Sequence, residues 1–122
     1  MILLNDFYTM SHFEPAQGSV KATININRHH KILEGHFPGL PIVPGVCMMQ
    51  IIREIMEFMS GKHLSLTSAD NMKFLSVINP DQITEVDVSI SYAEFNDHFI
   101  VSATLFAATT TFFKLKATMT IN

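Results

Sequence analysis

One long apolar helix constrains the fold of this chain more than any other segment. Across residues 46–59 the polar side chains are only Gln50, Arg53, Glu54 and Glu57. Their spacings of three, four and seven place them in one narrow stripe along a helix. Every other side chain of this segment is apolar, so most of the helix surface must be covered. A sheet that curls around the helix is the simplest cover, and we predict one.

Both ends of this helix carry local signals. Pro44 suits the first helical turn, because the N–H that proline lacks would have no partner there. Ser60-Gly61 is typical of a glycine C-cap. Before the helix, turn-forming residues surround one histidine, His36, and a rigid loop that leads a titratable side chain into a helix N-terminus is a plausible catalytic site.

The rest of the chain shows the alternation of strands. Residues 19–27 and 83–92 alternate apolar and polar side chains, as half-buried strands do. Residues 72–78, 99–105 and 113–121 are further strand candidates, with turns at 15–18, 95–97 and 107–110. Residues 1–15 fit either a short helix or a first strand. The predicted order is strand, buried helix, then four consecutive antiparallel strands, which gives an α+β fold in a single domain, residues 1–122.

Composition narrows the class of protein. With 48% hydrophobic and 16% charged residues in 122, the chain is apolar for a small monomer, which favours an oligomer. A formal net charge of −3 argues against nucleic-acid binding. Cys47 is the single cysteine, so neither an internal disulfide nor a metal site is expected. No signal peptide and no membrane-spanning run are recognised, so the expected location is the cytoplasm.

Two motifs carry a resemblance to a known family. GHFPGLPIVPGV, residues 35–46, resembles the GHFPGxPxxPGV signature of the hotdog-fold β-hydroxyacyl-acyl-carrier-protein dehydratases. MKFLSVINPDQ, residues 72–82, is similar to the KF…V.PGD element of that family, with Asn79-Pro80-Asp81 in place of Pro-Gly-Asp. The resemblance implies a hotdog fold, in which the sheet wraps around the central helix. It also implies acyl-carrier-protein-bound substrates, no cofactor, and a dimer with two active sites at its interface.

The resemblance also implies roles for individual residues. A loop histidine of one protomer faces a helix carboxylate of the other, and the histidine corresponds to His36. As a neutral imidazole it would remove the C2 proton of a 3-hydroxyacyl thioester. The N–H groups of Gly45 and Val46, at the helix N-terminus, would stabilise the enolate oxygen. Further oxyanion or substrate-binding residues of the loop are Phe37, Pro38 and Gly39.

The family carboxylate corresponds to Gln50, fourteen positions after His36. An amide can hold a water or a hydroxyl, but it cannot give up a proton as a carboxylic acid does. Three interpretations stay open. The enzyme works slowly through a water held by Gln50; or Glu54, about 5–6 Å further along the stripe, replaces the acid; or dehydration is lost. In the last case the chain is an acyl-binding protein, a thioesterase or the inactive half of a heterodimer with a second hotdog subunit.

Simpler interpretations accompany these roles. Glu54 fits a surface pair on a polar stripe. Arg28, His29, His30 and Lys31 form a small basic patch that could dock an acidic carrier, although a solvated loop is the simpler explanation. Cys47 has no obvious base beside it and is expected to be inert.

Overall fold

The computed structural model describes residues 2–36 and 39–122, apart from the side chain of His36. Eight elements follow one another along the chain: β1 (Tyr8–Ala16), β2 (Ser19–Ile26), α1 (Lys31–His36), α2 (Gly45–Ser60), β3 (Leu64–Phe74), β4 (Glu85–Glu94), β5 (His98–Ala107) and β6 (Thr110–Ile121). The six strands form one antiparallel sheet in the order β1-β2-β4-β5-β6-β3. This arrangement, with α2 packed against the sheet, confirms the predicted hotdog fold.

In the central strands, the side chains that were predicted to be buried are the ones that face the core. One face of the sheet buries Val20, Ala22, Ile24, Val86, Val88, Ile90, Phe99, Val101, Ala103, Leu105, Leu115, Ala117 and Met119. Against this face, α2 buries Cys47, Met48, Ile51, Ile52, Ile55 and Met56. Helix and sheet therefore share one hydrophobic core. The helix ends as predicted, since Gly61 adopts a left-handed φ of 71° and donates its N–H to Glu57 O at 2.8 Å.

Several predicted boundaries were wrong. The strand expected at 72–78 is β3, which begins at Leu64 and ends at Phe74. It pairs with β6, so the four strands that follow α2 along the chain lie side by side in the sheet in the order β4-β5-β6-β3. Because β3 is an edge strand with two register shifts and a largely exposed surface, its apolar alternation is weak.

The N-terminal third also differs from the prediction. The ambiguous first segment contains strand β1, and the predicted turn narrows to Gln17-Gly18 because Pro15 and Ala16 belong to that strand. Proline is tolerated there because β1 is an edge strand. The short helix α1 was not predicted. Among the described residues, no helix is long and apolar enough to cross a membrane.

Candidate active site

The loop that enters α2 is held by backbone hydrogen bonds. Helix α1 ends at His36, and Gly39 takes a left-handed φ of 78°. Val43 N–H then donates to Ile78 O at 2.9 Å, which ties the loop to the segment after β3. Phe37 and Pro38 lie outside the described residues, as does the side chain of His36. The roles proposed for these three residues therefore stay predictions.

The N-terminus of α2 is open to a ligand. Pro44 occupies the N-cap in an extended conformation, and no side chain of the described residues caps the helix there. The N–H groups of Gly45 and Val46 belong to the first turn, which has no earlier helical carbonyl to accept from them. Val46 is 63% exposed. This end of the helix therefore offers backbone donors and the positive end of a helix dipole to an anionic oxygen.

An apolar cavity of about 460 Å³ opens beside these donors. It is lined by residues 42–45, Met48 and residues 74–77. Phe74 stacks on Phe113 with ring centroids 4.9 Å apart, and its ring edge lies against Gly45. A Cβ at position 45 would meet Phe74 Cε1 at 2.6 Å. Glycine is therefore required at the helix start as long as this ring keeps its place.

Gly45→Ala is expected to displace the Phe74 ring and to lower the Tm by about 4 °C. The added methyl meets the far end of a side chain that is 53% exposed, so the ring can move and the cost should be about 1 kcal/mol, the low end for an overpacked site. The measurement is thermal unfolding. Gly45→Ala/Phe74→Ala is the matched control, because it removes the clashing ring. If the double variant is no better folded than the single one, the contact with Phe74 is not the reason for the glycine.

Glu54 is buried at the centre of a hydrogen-bond cluster, which corrects its interpretation as one partner of a surface pair. Its exposure is 6%. Oε2 accepts from Leu3 N–H at 2.8 Å and from the Gln50 amide at 2.6 Å. Oε1 accepts from Leu4 N–H at 2.8 Å and from the Tyr8 hydroxyl at 3.1 Å. The carboxylate therefore fastens the N-terminal segment to the middle of α2.

In this cluster Glu54 is the acceptor and Gln50 is one of its donors. Both oxygens of Glu54 already accept hydrogen bonds. The prediction that Glu54 serves as the catalytic acid in place of the family carboxylate is therefore not favoured by these contacts. Burial, followed by the neighbouring Glu54 charge and hydrogen bond, raises the pKa of Tyr8. Tyr8 is accordingly a neutral donor to the carboxylate at physiological pH. Gln50 directs its NH₂ group to Glu54, because a carboxylate can only accept.

The candidate residues do not share one cavity within a protomer. Gly45 lines the apolar cavity, whereas Val46 and Gln50 line a second depression of about 350 Å³ between α2 and β3. Val46 lies between the two openings on the exposed side of the helix. A site that uses all three residues needs the surface around Val46 to be completed by another molecule.

Two smaller predictions concern the surroundings of the site. Cys47 is buried, and burial together with the Glu54 charge raises the pKa of its thiol, so the thiol stays protonated at neutral pH.

The Arg28 patch is partly neutralised within the chain, because Arg28 pairs with Asp81 at 2.8 Å and His30 lies 3.0 Å from Asp6. No group of three or more His, Cys, Asp or Glu side chains in the described part of the chain could hold a metal ion.

Sequence reasoning missed two contributors to the site. Phe74 was placed in the second motif but not in the pocket, and its aromatic ring next to the exposed N-terminus of α2 is visible only in three dimensions. Tyr8 and the backbone of residues 3–4 gave no signal of their contact with Glu54. One sign was available in the sequence. Glu54 lies on a helix whose surface is mostly apolar and therefore mostly covered, and a buried carboxylate requires hydrogen-bond donors.

Comparisons with known proteins identify the family and the fold. The model of a family described as "ApeI-like: ApeI dehydratase" matches residues 12–110. Two curated relatives are 3-hydroxyacyl-[acyl-carrier-protein] dehydratases FabZ. The relative from Lactobacillus helveticus is 27% identical over 59% of this chain and 53% of its own length. The relative from Pediococcus pentosaceus is 26% identical over 73% of this chain and 62% of its own length. The chain thus matches little more than half the length of these relatives.

A solved structure supports the fold over almost the whole chain. It is described as the dehydratase heterocomplex ApeI:P from Xenorhabdus doucetiae, with a TM-score of 0.73 and 20% identity. The match covers 91% of this chain and 96% of that one.

Proposed function

The chain belongs to the ApeI-like dehydratase family, and on that premise we propose that it dehydrates 3-hydroxyacyl thioesters to trans-2-enoyl thioesters. The substrate would be carried by an acyl carrier protein, as the names of the FabZ relatives indicate, in fatty-acid or related acyl-chain biosynthesis. The observation that carries the proposal is the open N-terminus of α2 beside an apolar cavity. The N–H groups suit a thioester oxygen, and the cavity suits an acyl chain.

The proposed reaction begins at C2 of the substrate. The imidazole of His36 removes a C2 proton, and the electron pair moves onto the thioester carbonyl, whose oxygen becomes anionic. The N–H groups of Gly45 and Val46 would donate to that oxygen. A preorganised donor of this kind contributes about 10²–10³ in kcat in other enzymes. The electron pair then returns to form the C2–C3 double bond, and the C3 hydroxyl leaves.

Gln50 has a role that needs no acidic proton. Because its NH₂ group donates to Glu54, the acceptor end of the amide is its carbonyl Oε1. That oxygen would accept from the C3 hydroxyl, or from a water bound to it, and hold the C–O bond in line for departure. The proton that converts the hydroxyl to water would be the one that His36 removed from C2. Glu54 then acts as a positioning residue, since it fixes which way the amide faces.

A second subunit completes the proposed site. Strand β3 lies at the edge of the sheet, and Phe74, Leu75 and Val77 are each more than half exposed at its end. An apolar surface of this kind, next to the two openings around Val46, is suited to a subunit interface. We place there either a second copy of this chain or another hotdog subunit, as the description of the Xenorhabdus doucetiae heterocomplex suggests.

The test is hydration of a crotonyl thioester followed by loss of enoyl absorbance. Wild type is expected to turn over, and Gln50→Leu is expected to lower kcat about tenfold or more, because the hydroxyl loses its acceptor. Gln50→Glu is the informative partner variant. It places a second carboxylate against Glu54, and the repulsion is expected to disturb the cluster and not to improve the rate.

An opposite result would favour the alternative function, a non-catalytic partner subunit. The replacement of the family carboxylate by Gln50 is the observation that favours it. It predicts that wild type alone has no hydratase activity, and that activity appears either in Gln50→Glu or on mixing with a second hotdog chain. Release of free thiol from the acyl thioester would instead indicate a thioesterase.

A further inference from the structure

Three lysines form a cationic cluster on the outer face of the sheet. Lys73 of β3 lies directly opposite Lys114 of β6, and Asn71 lies opposite Lys116. All three lysines are exposed, and they line one shallow depression of about 280 Å³ with Ser102 and Thr104 of β5. They are three of the eight basic residues in a chain of net charge −3. The outer face of the sheet therefore carries a local group of three positive charges at one corner.

The charges of the cluster are not neutralised by any acidic side chain among the residues that the structure describes. None of the three lysines has a carboxylate within 4.0 Å in the part of the chain that the structure describes. Asp70, the acidic residue closest in sequence to Lys73, accepts from the Ser68 hydroxyl at 3.0 Å. Across the sheet, Lys114 lies opposite Thr104 and Thr104 lies opposite Ser89, and both of these hydroxyl residues are partly buried. Like charges that face each other across two strands lower stability, so folding alone does not account for the Lys73–Lys114 pair.

The cluster also lies next to the mouth of the apolar cavity. Successive side chains of a strand point to opposite faces, so Lys73 faces outward while Phe74 covers Gly45 on the other side. Strand β3 ends at Phe74, and residues 74–77 line the cavity beyond its end. The lysines are therefore close to the end of β3, where residues 74–77 line the opening of the cavity beside the N-terminus of α2.

We propose that Lys73, Lys114 and Lys116 form the docking surface for the acidic carrier protein that delivers the thioester. This inference rests on the proposed function and adds where its partner binds. The three positive charges are complementary to an acidic surface. The neighbouring side chains of Thr104 and Ser89 are neutral, so they do not repel approaching carboxylates. The basic patch at Arg28 is less suited to this role, because Asp81 already pairs with it.

The experiment compares two substrates that differ only in the carrier. One is a crotonyl group on an acyl carrier protein, and the other is crotonyl-N-acetylcysteamine, which has no protein and no phosphate. Lys73→Glu/Lys114→Glu is expected to raise KM for the protein-bound substrate about tenfold, with kcat little changed, because the loss of steering slows association. The KM of the small thioester should stay the same. The KM of wild type for the carrier-bound substrate should also rise with salt more steeply than that of the variant.

Lys21→Glu is the matched control. Lys21 is exposed on the same face of the same sheet, but it lies opposite Glu14 on β1. It is expected to leave both KM values unchanged. The proposal is overturned if the double variant affects both substrates alike, affects neither, or is matched by Lys21→Glu. If wild type turns over neither substrate, the proposed function fails; fluorescence anisotropy of the labelled carrier protein then tests docking by itself, and equal binding by wild type and double variant overturns it.

Discussion

His36→Ala is expected to lower kcat/KM for hydration of a crotonyl thioester by about 10²–10⁴-fold, the usual contribution of a positioned acid–base group. In the proposed mechanism one imidazole both removes the C2 proton and returns it to the leaving hydroxyl, and no other titratable side chain is assigned to either step. Alanine keeps the backbone helical at the end of α1, so the fold should be retained.

The controls for this prediction are a second histidine variant and a folding measurement. His29→Ala removes an exposed imidazole seven residues earlier and should leave the rate unchanged. Thermal unfolding of His36→Ala should resemble that of wild type. If His36→Ala retains wild-type kcat/KM, the base has been assigned to the wrong residue. Equal losses in both histidine variants would point to damage of the connection before α2 and not to chemistry.

Glu54→Ala should destabilise the fold by about 4 kcal/mol. Hydrogen bonds to a charged group contribute about 1.5–3 kcal/mol each, and buried donors left without an acceptor add a further cost. The substitution would leave Leu3 N–H, Leu4 N–H and the Tyr8 hydroxyl without this acceptor. For a chain of this size we expect the Tm to fall by roughly 15 °C, which circular dichroism can follow.

Glu57→Ala is the matched control for this effect. Glu57 lies one turn further on the same helix, is only partly buried, and accepts one backbone hydrogen bond, from Leu64 N–H at 2.9 Å. Its loss should cost about 1.5 kcal/mol, the low end for one hydrogen bond to a charged group. Tyr8→Phe removes a single donor from the Glu54 cluster and should fall between the two. If Glu54→Ala is no worse than Glu57→Ala, the N-terminal segment is not held by Glu54, and a catalytic role for that carboxylate becomes more attractive.

Most of the fold could be predicted because its determinants are periodic in the sequence. The apolar surface of α2 and the alternation in β2, β4, β5 and β6 specify which faces meet, and these faces form the core. Strand β3 was misplaced because an exposed edge strand has little reason to alternate. Its partner could not be deduced either, since the choice of β6 over β4 depends on how the sheet wraps around α2.

The site was less predictable than the fold. Sequence placed Gln50 and Glu54 on one stripe, and the structure joins them by a hydrogen bond. Sequence could not reveal which groups donate to Glu54, because they belong to a segment 50–51 residues away along the chain. The ring of Phe74 on Gly45 is likewise a contact between distant segments, α2 and the end of β3.

The donors that Leu3 and Leu4 offer to Glu54 are main-chain groups, and this has a consequence for comparing relatives. Any residue except proline presents the same N–H at these positions, so the side chains there can diverge without disturbing the anchor. Residues 3–4 and residue 54 would therefore not be expected to covary in a set of aligned sequences. In relatives of this chain, only coordinates or a proline substitution can show whether the first residues are fastened to the helix that carries Gln50.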